Sequence, residues 1–347
     1  MRRVYALLLL CFATACDATI QEHSILTGWN VTWDQLSHRV AYLETTLESD
    51  GLRLGMIGGD WSTGEAFSDT PTYRVRHSTV ESRAAHFVDG ESELVIGPDG
   101  SASTTATVPL RALPRHGKQV AILRGFAYDT DIEGLEGYPE DYDPGHGYTL
   151  VAQGVAFSSV TRQGDEYVFE VQATFETGPA DRQDMNEAMP FSQVAATVAW
   201  TLVGFEGHLE TAAVAGEQPL SWTPPYSHHD PLFDSLPVEI ESRYPAGIIG
   251  WRSFMLSQQN EEGDGEYIRA MGAEIVPTPK PAEHGFTGNV EAIYSNSSLS
   301  EFQQIDMAFE GEVIWMGLAD GDAAITHHVV EIEADTLGLI ETDLNGE

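Results

Sequence analysis

The chain is 347 residues long, 42% hydrophobic, and carries 54 Asp and Glu against 17 Lys and Arg, a formal net charge of −37. So acidic a chain excludes nucleic acid as a partner, because phosphate binding needs concentrated Lys and Arg. Its only cysteines, Cys11 and Cys16, sit in the N-terminal segment, which excludes disulfides, a cysteine nucleophile and thiolate zinc from everything after it.

The opening, MRRVYALLLLCFATACD, has the form of a bacterial export signal of the lipoprotein type. Arg2 and Arg3 supply the positive start, Val4 to Phe12 the apolar run, and Ala13, Thr14 and Ala15 the small residues before Cys16. The run is too short to span a bilayer, which takes about 20 residues. Residues 1–15 are then a signal peptide, Cys16 is the lipidation site, and residues 16–28 are a tether. The expected location is the cell envelope, periplasmic or surface-exposed, with the membrane engaged through the anchor. Plain secretory cleavage is the other reading.

Residues 29–50 predict one amphipathic helix. Thr32 and Gln35 have capping-box spacing. Trp33, Leu36, Val40, Leu43 and Leu47 recur in steps of three and four, and Asp50-Gly51 supplies a stop. Such a helix either packs on its own domain or forms a short coiled-coil neck that sets a homo-oligomer.

Residues 51–113 are β-rich, with short strand-like runs separated by turn signals such as Pro98-Asp99-Gly100. From residue 114 an internal repeat organises the chain. VAILRGFAYDTD (120–131) matches IIGWRSFMLSQQ (248–259), and an acidic loop follows each. YTLVAQGVAF (148–157) then matches YIRAMGAEIV (267–276), and YVFEVQATFETG (167–178) matches FTGNVEAIYSNS (286–297). SQVAATVAWTLVGFEG (192–207) matches FQQIDMAFEGEVIWMG (302–317). Regular strand spacing without βαβ alternation indicates antiparallel sandwiches. The expected fold is mainly β, with two tandem antiparallel β-sandwiches, 114–222 and 223–347, preceded by the helix.

The motif order within one copy resembles the H-type lectin domain, the small β-sandwich of snail agglutinin and the discoidin C-terminal domain. The first copy carries Val120 to Leu123, Tyr148 to Ala152, Phe169 to Phe175 and Val198-Ala199-Trp200; the second has Tyr267, Phe286, Tyr294 and Trp315 at comparable places. The resemblance implies sugar binding at loops and, since such lectins are usually trimers, a trimeric oligomer. Its ligand-contacting positions would fall on Tyr148, Phe175, Tyr267 and Tyr294. The family's sugar-contacting Arg is replaced by Tyr148-Thr149 and Tyr267-Ile268, so the architecture carries over without the galactose-type specificity.

One stretch has metal-ligand spacing. In DTDIEGLEGYPE, Asp129, Asp131, Glu133, Gly134 and Glu140 fall at positions 1, 3, 5, 6 and 12 of a calcium loop. Glu at position 5, Pro139 and the lack of flanking helices favour a solvated acidic loop, and calcium is the alternative. His327 and His328 are strand neighbours and point to opposite faces, so they do not chelate one ion together. His228-His229-Asp230 reads as linker. No catalytic motif is present: there is no G-x-S-x-G elbow, P-loop or dinucleotide fingerprint. The reading that follows is a lipid-anchored binding protein for a glycan or another surface ligand. A structural envelope lipoprotein with protein partners and a secreted polysaccharide hydrolase are the alternatives.

Overall fold

The computed structural model describes residues 21–32, 46–49, 52–55, 72–82, 85–113, 119–130, 148–179, 194–205, 213–222, 232–238, 246–258, 266–280, 285–298, 307–318 and 323–333. Apart from one 3₁₀ turn at Leu110–Ala112, the elements among them are strands. In chain order these are β1 (Gln21–Thr32), β2 (Thr46–Ser49), β3 (Leu52–Gly55), β4 (Thr72–Ser82), β5 (Ala85–Ile96) and β6 (Ser101–Pro109). They continue with β7 (Val120–Thr130), β8 (Tyr148–Phe157), β9 (Thr161–Gln163), β10 (Glu166–Pro179), β11 (Val194–Phe205) and β12 (Ala213–Trp222). The last six are β13 (Leu232–Val238), β14 (Ala246–Gln258), β15 (Glu266–Lys280), β16 (Gly285–Ser298), β17 (Met307–Leu318) and β18 (Ala323–Glu333).

Period-two patterning explains several strands directly. In β10, Tyr167, Phe169, Val171, Ala173 and Phe175 are all buried, while Glu170 and Gln172 between them are exposed. In β11, Val194, Ala196, Val198, Trp200 and Leu202 form a second buried row.

The strands make three sheets. Sheet A runs β13-β16-β15-β1-β4-β18, sheet B runs β2-β3-β7-β11-β5, and sheet C runs β12-β17-β14-β8-β10-β6, with β9 beside β10. Every pairing except β3–β7 is antiparallel.

A six-strand unit underlies this order. In unit 1 (β5, β6, β7, β8, β10, β11) the third strand pairs with the sixth, and the sixth with the first. The fourth pairs with the fifth, and the fifth with the second. Unit 2 (β12 to β17) repeats all four pairings. Unit 3 is split between the two ends of the chain. β1 and β4 stand as third and sixth strands, and β18 is the first strand, paired with β4. Units join where the fourth strand of one pairs with the third of the next, β8 with β14 and β15 with β1. At the remaining junction β3 lies parallel to β7, with Leu54 opposite Phe126.

One irregularity repeats three times. The ladder between third and sixth strands skips a residue at Thr27, at Arg124 and at Arg252. Such a β-bulge bends the strand and re-aims the side chain it carries. Two positions later stand Trp29, Phe126 and Phe254, which touch pairwise at centroid distances of 5.2, 4.5 and 4.9 Å. One aromatic ring from each unit therefore meets on a pseudo-threefold axis. A second apolar layer, on the N-terminal side of the bulges, joins Ile25, Ile122 and Ile248 with Val80, Val203 and Met316. The third strands run through these layers in the same direction, and Ile25 to Asn30 are buried without interruption.

The fourth strands repeat a close approach. A Cβ on Gly154 would lie 2.6 Å from the Phe254 carbonyl oxygen, and one on Gly272 would clash with that of Trp29. Glycine at these two sites lets adjacent units close up. The Tyr128 hydroxyl donates to the Gly154 carbonyl at 2.8 Å. Burial raises its pKa well above the ordinary phenol value, so it stays a donor.

Three expectations need correction. The amphipathic helix over 29–50 is absent among the described residues: 29–32 end β1, 46–49 form β2, and 33–45 lie outside them. Thr32, expected as a helix cap, pairs with Thr72 in a ladder. Burial of both faces of β1 outweighs a two-heptad pattern that begins only at its end. The tether is likewise shorter than 16–28, because Gln21 to Gly28 are already strand. Segments 114–222 and 223–347 share sheets: β8 pairs with β14, and β12 belongs to the β17 edge of unit 2.

Candidate functional site

The direction of the strands sorts the connections to two ends. Thr32 lies opposite Thr72, Thr130 opposite Val194, and Gln258 opposite Met307. Tyr148 lies opposite Pro179 and Glu266 opposite Ser298. Segments 33–45, 56–71, 97–100, 131–147, 180–193, 223–231, 259–265 and 299–306 therefore all join strand ends on one side. Those eight segments contain twenty-one Asp and Glu and two Arg, Arg39 and Arg182. The connections at the other end contain nine acids and five bases. β1 enters at this second, less acidic end, with Gln21 opposite Ser82.

Of the sequence-predicted residues, Asp129, Tyr148, Tyr267 and Tyr294 lie on strands towards the acidic end. Asp129 is in the last turn of ladder of β7, opposite Ala195. Tyr148 begins β8, Tyr267 is the second residue of β15, and Tyr294 lies in β16 between Leu232 and Met271. Phe175 is a core ring, 3% exposed and packed on Tyr128 at 5.2 Å. It turns its face to the interior and not to a ligand. Cys16, Asp131, Glu133 and Glu140 lie outside the described residues. Among the described residues no group of three or more His, Cys, Asp or Glu has the geometry to hold a metal ion.

The polar chemistry that is described lies where units meet. The bulge at Arg124 aims its guanidinium at Asp89 of β5, with Nη1 2.7 Å from Oδ2. Thr201 donates to Asp89 Oδ1 at 2.8 Å, and His23 Nε2 is 3.0 Å from the same oxygen. His23 also stacks on Phe87 at 4.6 Å, so β1 of sheet A is tied to β5 of sheet B. At the equivalent bulge Arg252 reaches Glu312 at 3.2 Å and donates to the Phe157 carbonyl and the Ser159 hydroxyl. In unit 3 a threonine, Thr27, holds the bulge; its carbonyl accepts from Trp251 Nε1 at 3.0 Å. There the ion pair is moved next door. Glu274, wholly buried, crosses over Gly28 to Arg76 at 3.1 Å and Arg74 at 3.5 Å.

Burial alone would raise the Asp89 pKa; the His23 contact, the Thr201 hydroxyl and the Arg124 charge outweigh it and leave it below the ordinary carboxylate value. A carboxyl whose pKa is depressed by folding contributes stability that is present above its unfolded value and lost as pH falls through its folded one. Asp89→Asn should therefore lower the thermal midpoint at pH 7. The gap between variant and parent should begin to narrow at about pH 4, where the free carboxyl protonates, and close at lower pH, once the folded carboxyl is protonated too. A gap that stayed constant from pH 7 to pH 2.5 would show that the lost stability is not electrostatic.

Ser78 and His327 share a hydrogen bond of 2.8 Å, at the positions equivalent to Thr201 and Asp89. The pairing has the form of a nucleophile and its base. Ser78 is only 2% exposed, however, and its oxygen cannot meet a substrate. Desolvation, the Arg76 charge and His328 together depress the His327 pKa. His328 turns the other way and stacks on His77 at 4.8 Å. These contacts fasten β18 to β4.

Sequence reasoning aligned Arg124 with Arg252 without giving them a role, and passed over Asp89, His23 and Glu274. The signal for them was present: Ile25-Leu26-Thr27-Gly28-Trp29 and Ile122-Leu123-Arg124-Gly125-Phe126 share three of five residues. No family model matches the chain, and no curated protein or solved structure shows significant similarity to it.

Proposed function

We propose that this chain is an exported, lipid-anchored binding protein that presents its acidic end to a glycan or another surface ligand. The observation that carries the reading is the polarity of the strands. β1 begins at the end opposite the acidic segments, so an anchor at Cys16, five residues before Gln21, would hold those segments away from the membrane. Carboxylates there would accept hydrogen bonds from sugar hydroxyls, and Tyr148, Tyr267 and Tyr294 would supply stacking surface. Calcium held by Asp129, Asp131, Glu133 and Glu140 would add coordination to hydroxyl pairs.

The resemblance to H-type lectins enters here. Units 1 and 2 each divide into two three-stranded halves, and we read each of these units as a small sandwich whose sheets fuse with its neighbours'. Trimeric association, expected from a helical neck, is replaced in this reading by three units within one chain. Three linked sites gain avidity from effective concentration without any new contact.

The test is a glycan array probed with the purified mature protein, with and without Ca²⁺. Binding is expected, and it should be lost when residues 131–147 are replaced by a Gly-Ser linker of equal length. A blank array together with recovery of a stable envelope-protein complex would move the protein to the structural class. Separately, Cys16→Ser should shift the protein from the membrane fraction to the soluble fraction of a bacterial host.

A further inference from the structure

We infer that the β4–β18 ladder is an acid-sensitive clasp, which holds unit 3 closed near neutral pH and lets β18 go as His77, His327 and His328 take up protons. Two adjacent rungs carry it. His77 lies opposite His328, and Ser78 opposite His327. The His77 and His328 rings stack with centroids 4.8 Å apart, and Ser78 Oγ lies 2.8 Å from His327 Nδ1. In unit 1 the same two rungs are Trp200 with Gly90 and Thr201 with Asp89. In unit 2 they are Val313 with Gln218 and Ile314 with Glu217. Unit 3 therefore sets a base where each of the other units sets an acid, and a pair of bases where they set neutral residues.

That exchange reverses the effect of acid. Asp89 meets Arg124 as an opposite charge at 2.7 Å. A proton on His327 instead brings positive charge towards Arg76 and His328, which together with desolvation hold its pKa below the ordinary value. A histidine whose pKa folding depresses binds its proton more readily in the unfolded chain. The stability it contributes is therefore lost as pH falls below the unfolded value of about 6.5. Protons on both stacked rings would set like charges face to face, and His77, 2% exposed, would carry its charge out of water. Few acids stand by to compensate. Glu81, Glu331 and Glu333 are each at least four rungs from the nearest histidine whose face they share, and Glu274 is engaged by Arg76 at 3.1 Å. Arg74 adds positive charge on β4, and β14, packed beside β18, brings Arg252 as its one charged residue. β18 ends sheet A, so its departure breaks a single ladder among the described strands.

Amide hydrogen exchange on the full chain, at about pH 7.5 and about pH 5 and corrected for the intrinsic rate at each, tests this. Protection of the bonded amides of β18 should fall at least about tenfold at the lower pH. Those of β14 and β17, which contain no histidine, should keep theirs. Most of the fall should disappear in the double variant His327→Gln, His328→Gln. Equal protection of β18 at the two pH values would overturn the inference, as would a fall shared equally by β14 and β17. An undiminished fall in the double variant would also overturn it, by assigning the effect to carboxylates. NMR titration of the parent keeps the test independent of how that variant folds. The His327 ring should titrate below the free-histidine value of about 6.5, and a midpoint at or above that value would remove the basis of the clasp.

Discussion

Alanine at Trp29, at Phe126 or at Phe254 should each cost about 3–5 kcal/mol of folding stability, the range for emptying a large aromatic site in a closed core. The three rings are buried to 1% exposure or less and fill one another's faces, so no single neighbour can collapse into the gap. Trp29 also meets Trp251 edge-on at 5.9 Å, so its removal loosens a fourth ring. Denaturant titration of the three variants measures the losses. The informative quantity is their similarity. If the axis is shared, the three costs should agree within about 1–2 kcal/mol, given the usual spread for one type of deletion. A cost below about 1 kcal/mol at one site and above 3 at the others would mean that the units do not contribute equally to the interior.

Arg76→Ala should be as damaging, by a different route. Glu274 has no exposed surface, and Gly28 leaves the space its side chain crosses: a Cβ at residue 28 would come within 2.9 Å of Glu274 Cγ. Removing the guanidinium 3.1 Å away leaves a carboxylate in the interior with Arg74, at 3.5 Å, still beside it. Breaking a buried pair from one side costs about 3–5 kcal/mol, whereas replacing both partners with apolar groups of similar size is often neutral. The double variant Arg76→Met, Glu274→Leu should therefore recover most of what Arg76→Ala loses. A double variant no more stable than the single one would indicate that the site depends on shape more than on charge.

Much of the sheet content could be read from residue pattern alone. The rows Tyr167 to Phe175 and Val194 to Leu202 are buried as the alternation predicts, although Thr174, Ala199 and Thr201 between them are buried as well. Two repeat alignments also hold in register, Arg124 with Arg252 and Phe175 with Tyr294. The other two slip. Gly154 matches Gly272 and not Ala273, and Trp200 matches Val313 and not Glu310. Strand partners fix register through backbone bonds, which a comparison of side chains does not contain.

The third unit escaped notice because its strands are separated by most of the chain and because a heptad-like run begins where β1 ends. Ile25 to Trp29 against Ile122 to Phe126 was the available clue, five residues long. The polar junctions were less legible still. His23 and Asp89 are 66 positions apart, and Arg76 and Glu274 are 198 apart. Nothing in local spacing links such residues; only the closure of the sheets does. For the calcium-type loop, Asp129 is placed at a strand end, and its remaining carboxylates lie outside the described residues.

Because β18 completes a sheet begun by β1 and β4, the ribosome must deliver Glu333 before the earliest-made unit has all its neighbours. Non-local pairing of this kind makes folding slow. The nascent polypeptide would remain pliable for most of its synthesis and become rigid late, when its two extremities meet.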